Sequence, residues 1–197
     1  MALVDLRDPR LLGDRQMIHE HLGDNRSGKT FVNALFAWEA YNQGRDVYCN
    51  CPDGKNGPIC ILNFPHRHVD MDIIQKYDLV NCYVMTDESV ETMDARKSMK
   101  NAVREIGFFG YQATKRGVDW HYDAVRHKNI DPRVRLNPHF IIESFRIPRN
   151  PKLPLVAIKL EIQYRYAPGV KRKMWFHRPA DFYGIYNHFV RVPSKDN

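Results

Sequence analysis

The chain has 197 residues, of which 43% are hydrophobic and 27% charged, the balance of a soluble domain long enough for one substantial core. No apolar stretch approaches the ~20 residues of a membrane span. The opening MALVDLRDPRLLGDRQ is too charged for a secretory signal, so the cytoplasm is the expected compartment. The net charge of +7 is uneven: residues 145–197 carry eleven Lys/Arg against three Asp/Glu, residues 1–144 nineteen against twenty. That asymmetry predicts an anionic partner for the last quarter of the chain, nucleic acid above all.

Residues 1–15 read as an N-terminal extension. Gln16–Leu22 predicts a short strand, and Phe31–Tyr41, almost wholly apolar and helix-forming, predicts a helix. Between them lies GDNRSGKT, Gly23–Thr30, which fits G-x-x-x-x-G-K-[S/T]. In that pattern glycines let successive backbone N–H groups turn toward phosphate oxygens, the lysine reaches the β and γ phosphates, and the last hydroxyl ligates Mg²⁺. The helix N-terminus beyond it favours the same anion. The nucleotide-binding residues are therefore Gly23, Asp24, Asn25, Arg26, Ser27, Gly28, Lys29, Thr30 and Phe31.

Arg45–Asn50 reads as a second strand after the Gly44 turn, residues 52–58 as loop, and Ile59–Phe64 as a short strand or hairpin arm. Leu79–Met85 looks like a buried parallel strand running into Thr86-Asp87-Glu88. A long helix is predicted over Arg96–Lys115, with Met99, Val103 and Ile106 as its apolar stripe and Gly117 beyond its end. Val118–Ala124 returns as a strand with Asp119, His121 and Asp123 on one face, which suits an edge strand or a polar site. Residues 139–147 and 155–166 read as further strands, and eight of the twelve prolines lie beyond residue 131, so that region should hold little helix. The alternation predicts an α/β fold: a P-loop NTPase with a mostly parallel central sheet flanked by helices and a β-rich C-terminal portion. It forms one domain, a nucleotide-binding core over 16–144 followed by a basic part over 145–197.

A phosphate loop needs a second acidic element for its metal. Asp87 follows an apolar strand and would position Mg²⁺ with Thr30; Glu88 beside it would accept a proton from attacking water. Negative charge developing on the transferred phosphoryl group calls for a further cation, for which Arg96, Arg116, Arg133 and Arg135 are the candidates. Cys49, Cys51 and Cys60, followed by His66 and His68, do not match common structural zinc spacings, and free buried thiols are the better reading.

Taken in order, HLGDNRSGKT, VYCN, TDESVETMDAR, ATKRGVD, NIDPRVR and the closing FYGIYNHF resemble the FtsK–HerA superfamily of P-loop ATPases. More narrowly they resemble the genome-packaging ATPases of membrane-containing double jelly-roll double-stranded DNA viruses, over residues 16–190. The resemblance implies an ATP-hydrolysing motor that translocates double-stranded DNA into a viral capsid. Such a motor works in the host cytoplasm or at a packaging vertex of the virion. It would be a homo-oligomeric ring, pentamer or hexamer, with capsid vertex or inner-membrane proteins as possible partners. Lys29 and Thr30 take the Walker A positions, Asp87 and Glu88 the Walker B positions, and Arg116 lies where a trans-acting arginine is sought. Two positions depart from the pattern: Val125 falls where a polar sensor is usual, so Asp123 or Arg126 would take the sensor's place, and His188 replaces a small hydroxyl residue.

Other readings of the residues are a phage assembly or export-type ATPase of the same superfamily, a nucleotide kinase or switch-type protein, and a binding module with a degenerate loop. For the motor, Arg172, Lys173 and Arg178 are candidate DNA contacts.

Overall fold

The computed structural model describes residues 17–50, 60–70, 73–74, 79–87, 89, 93–97, 101–167 and 169–185. Its strands are β1 (Ile18–Leu22), β2 (Val47–Cys49), β3 (Arg67–His68), β4 (Tyr83–Thr86), β5 (Asp119–Ala124), β6 (Phe140–Ile147), β7 (Ala157–Tyr164) and β8 (Lys171–His177). Among the described residues, α-helices span α1 (Lys29–Asn42), α2 (Asn101–Ala113) and α3 (Pro132–Arg135). All eight strands form one sheet in the order β3-β2-β4-β5-β1-β6-β7-β8. Pairings from β3 to β6 are parallel, and β6–β7 and β7–β8 are antiparallel.

The parallel part is buried on both faces, as crossover helices require. On one face α1 packs through Phe31, Val32, Leu35 and Phe36 onto Met85, Phe140, Ile142, Ile158 and Leu160. Phe182, Tyr183 and Ile185 pack against this same cluster. Helix α1 is therefore covered on its outer side as well, which is why its sequence is apolar nearly all round. On the opposite face Val103, Ile106 and Phe109 of α2 join Val84, Trp120 and Tyr122, with the Phe109 and Trp120 rings 5.2 Å apart.

Several elements depart from the sequence expectations. β5 is not an edge strand: it lies between β4 and β1, paired to both, and Asp119–Ala124 is buried almost throughout. Its polar face is an interior face. Residues 60–64 form no strand; the edge next to β2 is instead the two-residue β3. The acidic strand begins only at Tyr83. The expected long helix is not uniform: Ala95–Lys97 is a 3₁₀ turn, α2 spans Asn101–Ala113, and a second 3₁₀ turn over Thr114–Arg116 ends at Gly117 with φ 75°. Met99 lies outside the described residues. β8 was not anticipated, because KRKMWFH hides its alternation behind three cations. As the outermost strand it exposes those charges and buries Met174 and Phe176, a common way of keeping an edge from pairing with other chains. β6 runs unbroken across residue 145.

Candidate active site

β1, β4 and β5 all end at the same edge of the sheet, and the loop after β1 turns there into α1. The loop is built by three positive φ angles: Gly23 at 144°, Arg26 at 65° and Gly28 at 100°. A side chain at Gly23 would put its Cβ 2.6 Å from the Ser144 carbonyl oxygen of β6 and 2.5 Å from Ser27 Oγ. Gly28 caps α1 in the left-handed conformation, and the Val32 N–H donates to its carbonyl at 2.9 Å. Backbone curled in this way forms a concave anion-binding surface at a helix N-terminus. The Ser27 N–H donates to Asp24 O at 3.1 Å. Phe31 is buried in the first turn, its ring 6.2 Å from Tyr183.

Lys29 is 92% buried and donates from Nζ to the carbonyls of Gly23 at 2.9 Å and Asp24 at 3.1 Å. The ammonium therefore lies over the loop's own backbone, where phosphate oxygens can take the place of the carbonyls. Thr30 Oγ1 donates to Asp87 Oδ1 at 2.9 Å, joining the first turn of α1 to the end of β4 across 57 residues. A hydroxyl and a carboxylate at this separation are hard oxygen donors suited to Mg²⁺, which commonly takes one or two protein ligands and completes its shell with water and phosphate. Glu88 lies outside the described residues.

Two residues complete this site: Asn50, which no motif singled out, and Asp123, one of the two candidates for the sensor's place. Asn50, at the end of β2, pairs with the backbone of Asp87 in both directions: its Nδ2 donates to Asp87 O at 2.9 Å and its Oδ1 accepts from Asp87 N at 2.7 Å. This clamp fixes the carboxylate that faces Thr30. Asp123, at the end of β5, lies beside Asp87 and accepts from Ser89 N at 3.4 Å. Burial first, then the Asp87 carboxylate, hold the Asp123 carboxyl well above the usual range, while Lys29 and the Ser89 N–H pull it back. The polar residue that reaches the acidic site from β5 is thus Asp123. Val125 and Arg126 lie one and two residues past the strand end and are exposed.

Beneath the loop runs a row of buried histidines. His19 Nδ1 and His121 Nε2 are 2.6 Å apart, and His21 Nε2 and His121 Nδ1 are 3.0 Å apart. Burial holds all three pKa values down, with His21 brought to about 3 by burial and then by Lys29. These are neutral rings linked through His121 under Phe36, with His21 Nδ1 buried and left without a partner. Among the described residues no group of three or more His, Cys, Asp or Glu is arranged to hold a metal. Cys49, Cys60 and Cys82 are buried thiols, with Cys60 Sγ 3.9 Å from Cys49 Sγ; Cys51 lies outside the described residues.

The candidate arginines are dispersed. Arg96 pairs with Asp94 at 2.8 Å and Arg133 with Asp131 at 2.9 Å. Arg135 follows in α3. Arg116 lies just before β5 begins, hydrogen-bonded to Gln112, so the six-residue strand, about 20 Å long, separates it from the loop of its own chain. Arg172 and Lys173 are exposed on β8, and Arg178 pairs with Asp181 at 3.4 Å. In FYGIYNHF, residues 186–189 lie outside the described residues.

A cavity of about 570 Å³ opens beside the loop, lined by Gly23–Asn25 and Ser27, by Val125 and Arg126, and by the far end of β6 with the turn after it.

No protein-family model and no curated protein matches the sequence. Solved structures do match in three dimensions. The N-terminal domain of zonular occludens toxin from Neisseria meningitidis superposes with a TM-score of 0.63 at 16% identity, over 88% of this chain and 100% of that one. The genome packaging NTPase B204 from Sulfolobus turreted icosahedral virus 2, in complex with ATP-gammaS, gives 0.58 at 14% identity, over 83% and 97%. The pCW3 conjugation coupling protein TcpA with ATPgS gives 0.58 at 13% identity, over 86% of this chain and 62% of that one. The fold is that of a P-loop ATPase. The resemblance to FtsK–HerA-type ATPases drawn from the ordered motifs holds at the level of fold. Among the described residues no helix is long and apolar enough to cross a membrane.

Proposed function

We propose that this chain is an ATP-hydrolysing motor, acting as a single ATPase domain, that translocates double-stranded DNA during packaging of a viral genome. The observation that carries the hydrolysis is the convergence of Lys29, Thr30 and Asp87 at the end of the β1 loop. Lys29 binds the terminal phosphates, exchanging the Gly23 and Asp24 carbonyls for phosphate oxygens. Thr30 and Asp87 hold Mg²⁺, with Asp87 fixed in place by Asn50. When bound, Mg²⁺ neutralises charge on the phosphate oxygens. Glu88 orients the attacking water and takes its proton. Arg116, too far from its own loop, serves the nucleotide of a neighbouring subunit in a homo-oligomeric ring, a pentamer or hexamer. Such an arrangement couples hydrolysis to contact between subunits. In the cell the ring works in the host cytoplasm or docks on a capsid vertex or inner-membrane protein.

The DNA part of the reading is supported by the eleven Lys/Arg of the last quarter and by the exposed Lys171, Arg172 and Lys173 on β8. Charges of this kind contact phosphates without reading sequence, as a translocating motor requires. The test is ATP turnover with and without double-stranded DNA at low and moderate salt. A several-fold stimulation by DNA that moderate salt abolishes is expected. Turnover indifferent to DNA in a protein that forms rings would contradict translocation and favour the assembly- or export-type reading.

A further inference from the structure

We propose that the open face of the β6–β8 extension is a stacking platform for single-stranded DNA, centred on Trp175. The inference deepens the DNA reading and rests on it for the choice of DNA; the stacking surface itself stands on this sheet face.

The two faces of the extension are unlike. On the α1 side Ile142, Ile158, Leu160, Ile162, Met174 and Phe176 are buried in the core. On the α2 side the core takes in residues of β1, β4 and β5 but, among the described residues, none of β6, β7 or β8. Apart from Ala157, every position that the three strands present on that side is partly or largely exposed.

Register decides what lies together there. Phe145 sits opposite Lys159, and Lys159 opposite Trp175. A ring, a cation and a second ring therefore cross the sheet in one row, the outer two ~10 Å apart along the backbone. Lys159 Nζ lies 5.3 Å from the Phe145 ring centroid. Trp175 is 42% exposed. The His177 ring, two residues along on the same face, stands nearly parallel to it, at 14° with centroids 6.3 Å apart. Cations flank the two rings: Lys171 and Lys173 on the same face toward one end of β8, and the exposed Arg149 and Lys152 in the turn off the other end. Of the two carboxylates on the face, Glu161 is neutralised by Lys159 at 2.5 Å and Lys171 at 3.8 Å.

Rings interleaved with cations on an uncovered face form a site for unpaired bases: the cations hold phosphates and the rings take base faces. A duplex keeps its base faces in its own stack, so the lysines can hold either form of DNA but Trp175 only the single strand. The seven residues of β8 extend over ~20 Å, room for about two or three bases. Protection of an edge strand explains the lysines; it does not explain an exposed tryptophan beside them, a residue whose bulk is mostly buried in folded proteins.

The experiment titrates the full chain at moderate salt with a short oligodeoxythymidylate, an oligouridylate and a DNA duplex of equal length, read by anisotropy of the labelled ligand and by tryptophan emission. The wild type should bind oligodeoxythymidylate at least about fivefold tighter than duplex and lose emission on binding. Trp175→Ala should weaken oligodeoxythymidylate about tenfold, the scale of one base–aromatic stack, and leave duplex within about twofold. Trp175→Phe should keep most of the affinity and lose the quenching. Lys171→Ala with Lys173→Ala should weaken both forms of DNA and flatten the log–log salt slope for the single strand by about 0.7 per lysine. A Trp175→Ala effect that is absent, or equal on the two forms, overturns the platform. Oligouridylate bound about tenfold tighter than oligodeoxythymidylate overturns DNA as the occupant. Absent single-strand binding in a protein whose ATP turnover still responds to duplex overturns the platform and leaves translocation standing. Trp175-dependent binding in a protein whose turnover ignores duplex overturns translocation alone.

Discussion

At the scale of single residues, the site turns on how Asp87 is held. Its carboxylate accepts from Thr30, and its backbone N–H and carbonyl are both engaged by the Asn50 side chain. Asn50→Ala removes two hydrogen bonds at a half-buried position, a loss of about 1–2 kcal/mol in unfolding free energy. Mg²⁺ affinity should fall about tenfold, in line with the loss of a supporting contact behind a metal ligand. Denaturant melts and Mg²⁺ titration of nucleotide binding check the two effects separately. The phosphate loop was legible in the sequence because its eight residues are consecutive and each has a chemical role. Asn50 was not, because its partner is 37 residues away and the pairing exists only once β2 lies beside β4. The histidine row carries a second residue-scale consequence. Its members have folded pKa values below the ordinary 6.5, so the unfolded chain binds more protons in acid. Stability is therefore complete above pH 6.5 and declines as pH falls toward the folded values, about 3 for His21. The loss is about 1.4 kcal/mol per pH unit for each histidine. Asp123, held protonated, opposes this above pH 3.8, but one carboxyl does not offset three imidazoles. Unfolding free energies at pH 7.5, 6 and 5 should drop steeply between the last two; a flat profile would contradict the assignment.

At the scale of elements, the parallel sheet owes its order to links between non-neighbouring segments. Arg45, in the turn after α1, pairs with Asp119 at the start of β5 and donates to Cys82 O at 2.7 Å and Gly117 O at 3.1 Å. It thereby ties β2, β4 and β5 at the edge opposite the loop. Its side chain is 18% exposed, so Arg45→Ala leaves Asp119 and two carbonyls short of a donor; about 2–3 kcal/mol of stability should be lost in a denaturant melt. Nucleotide affinity should stay within about twofold, because the residue lies at the far edge. β1, β2, β4 and α1 were legible from apolar runs and the glycine turns, whereas the two-residue edge strand β3 was not. The place of β5 was not: alternating Asp, His and Asp suggests an exposed edge unless the partners that bury those groups, His19, His21, Asp87 and Arg45, are known to converge on it. β8 was hidden for the opposite reason, since an outer strand can carry charge at most of its positions and lose its period-2 signature.

At the scale of the whole molecule, the strand order is what makes the site. With β5 between β1 and β4, the phosphate loop and the acidic strand are held one strand apart. The gap is bridged by the Thr30–Asp87 contact and filled by Asp123. The antiparallel β6–β8 extension continues the sheet on the other side of β1, forms the wall of the cavity and carries the basic outer strand. Phosphate site, cavity and basic strand thus follow one another along a single sheet, an arrangement suited to coupling nucleotide state to a bound polyanion. The most direct measurement is Mg²⁺-dependent phosphate release from ATP by the wild type, Lys29→Ala and Asp87→Asn, with each variant's fold checked by its melting transition. Steady turnover in the wild type that falls at least about 100-fold in both variants is the predicted result. Turnover that survives in folded Lys29→Ala would place the chemistry elsewhere and contradict the account.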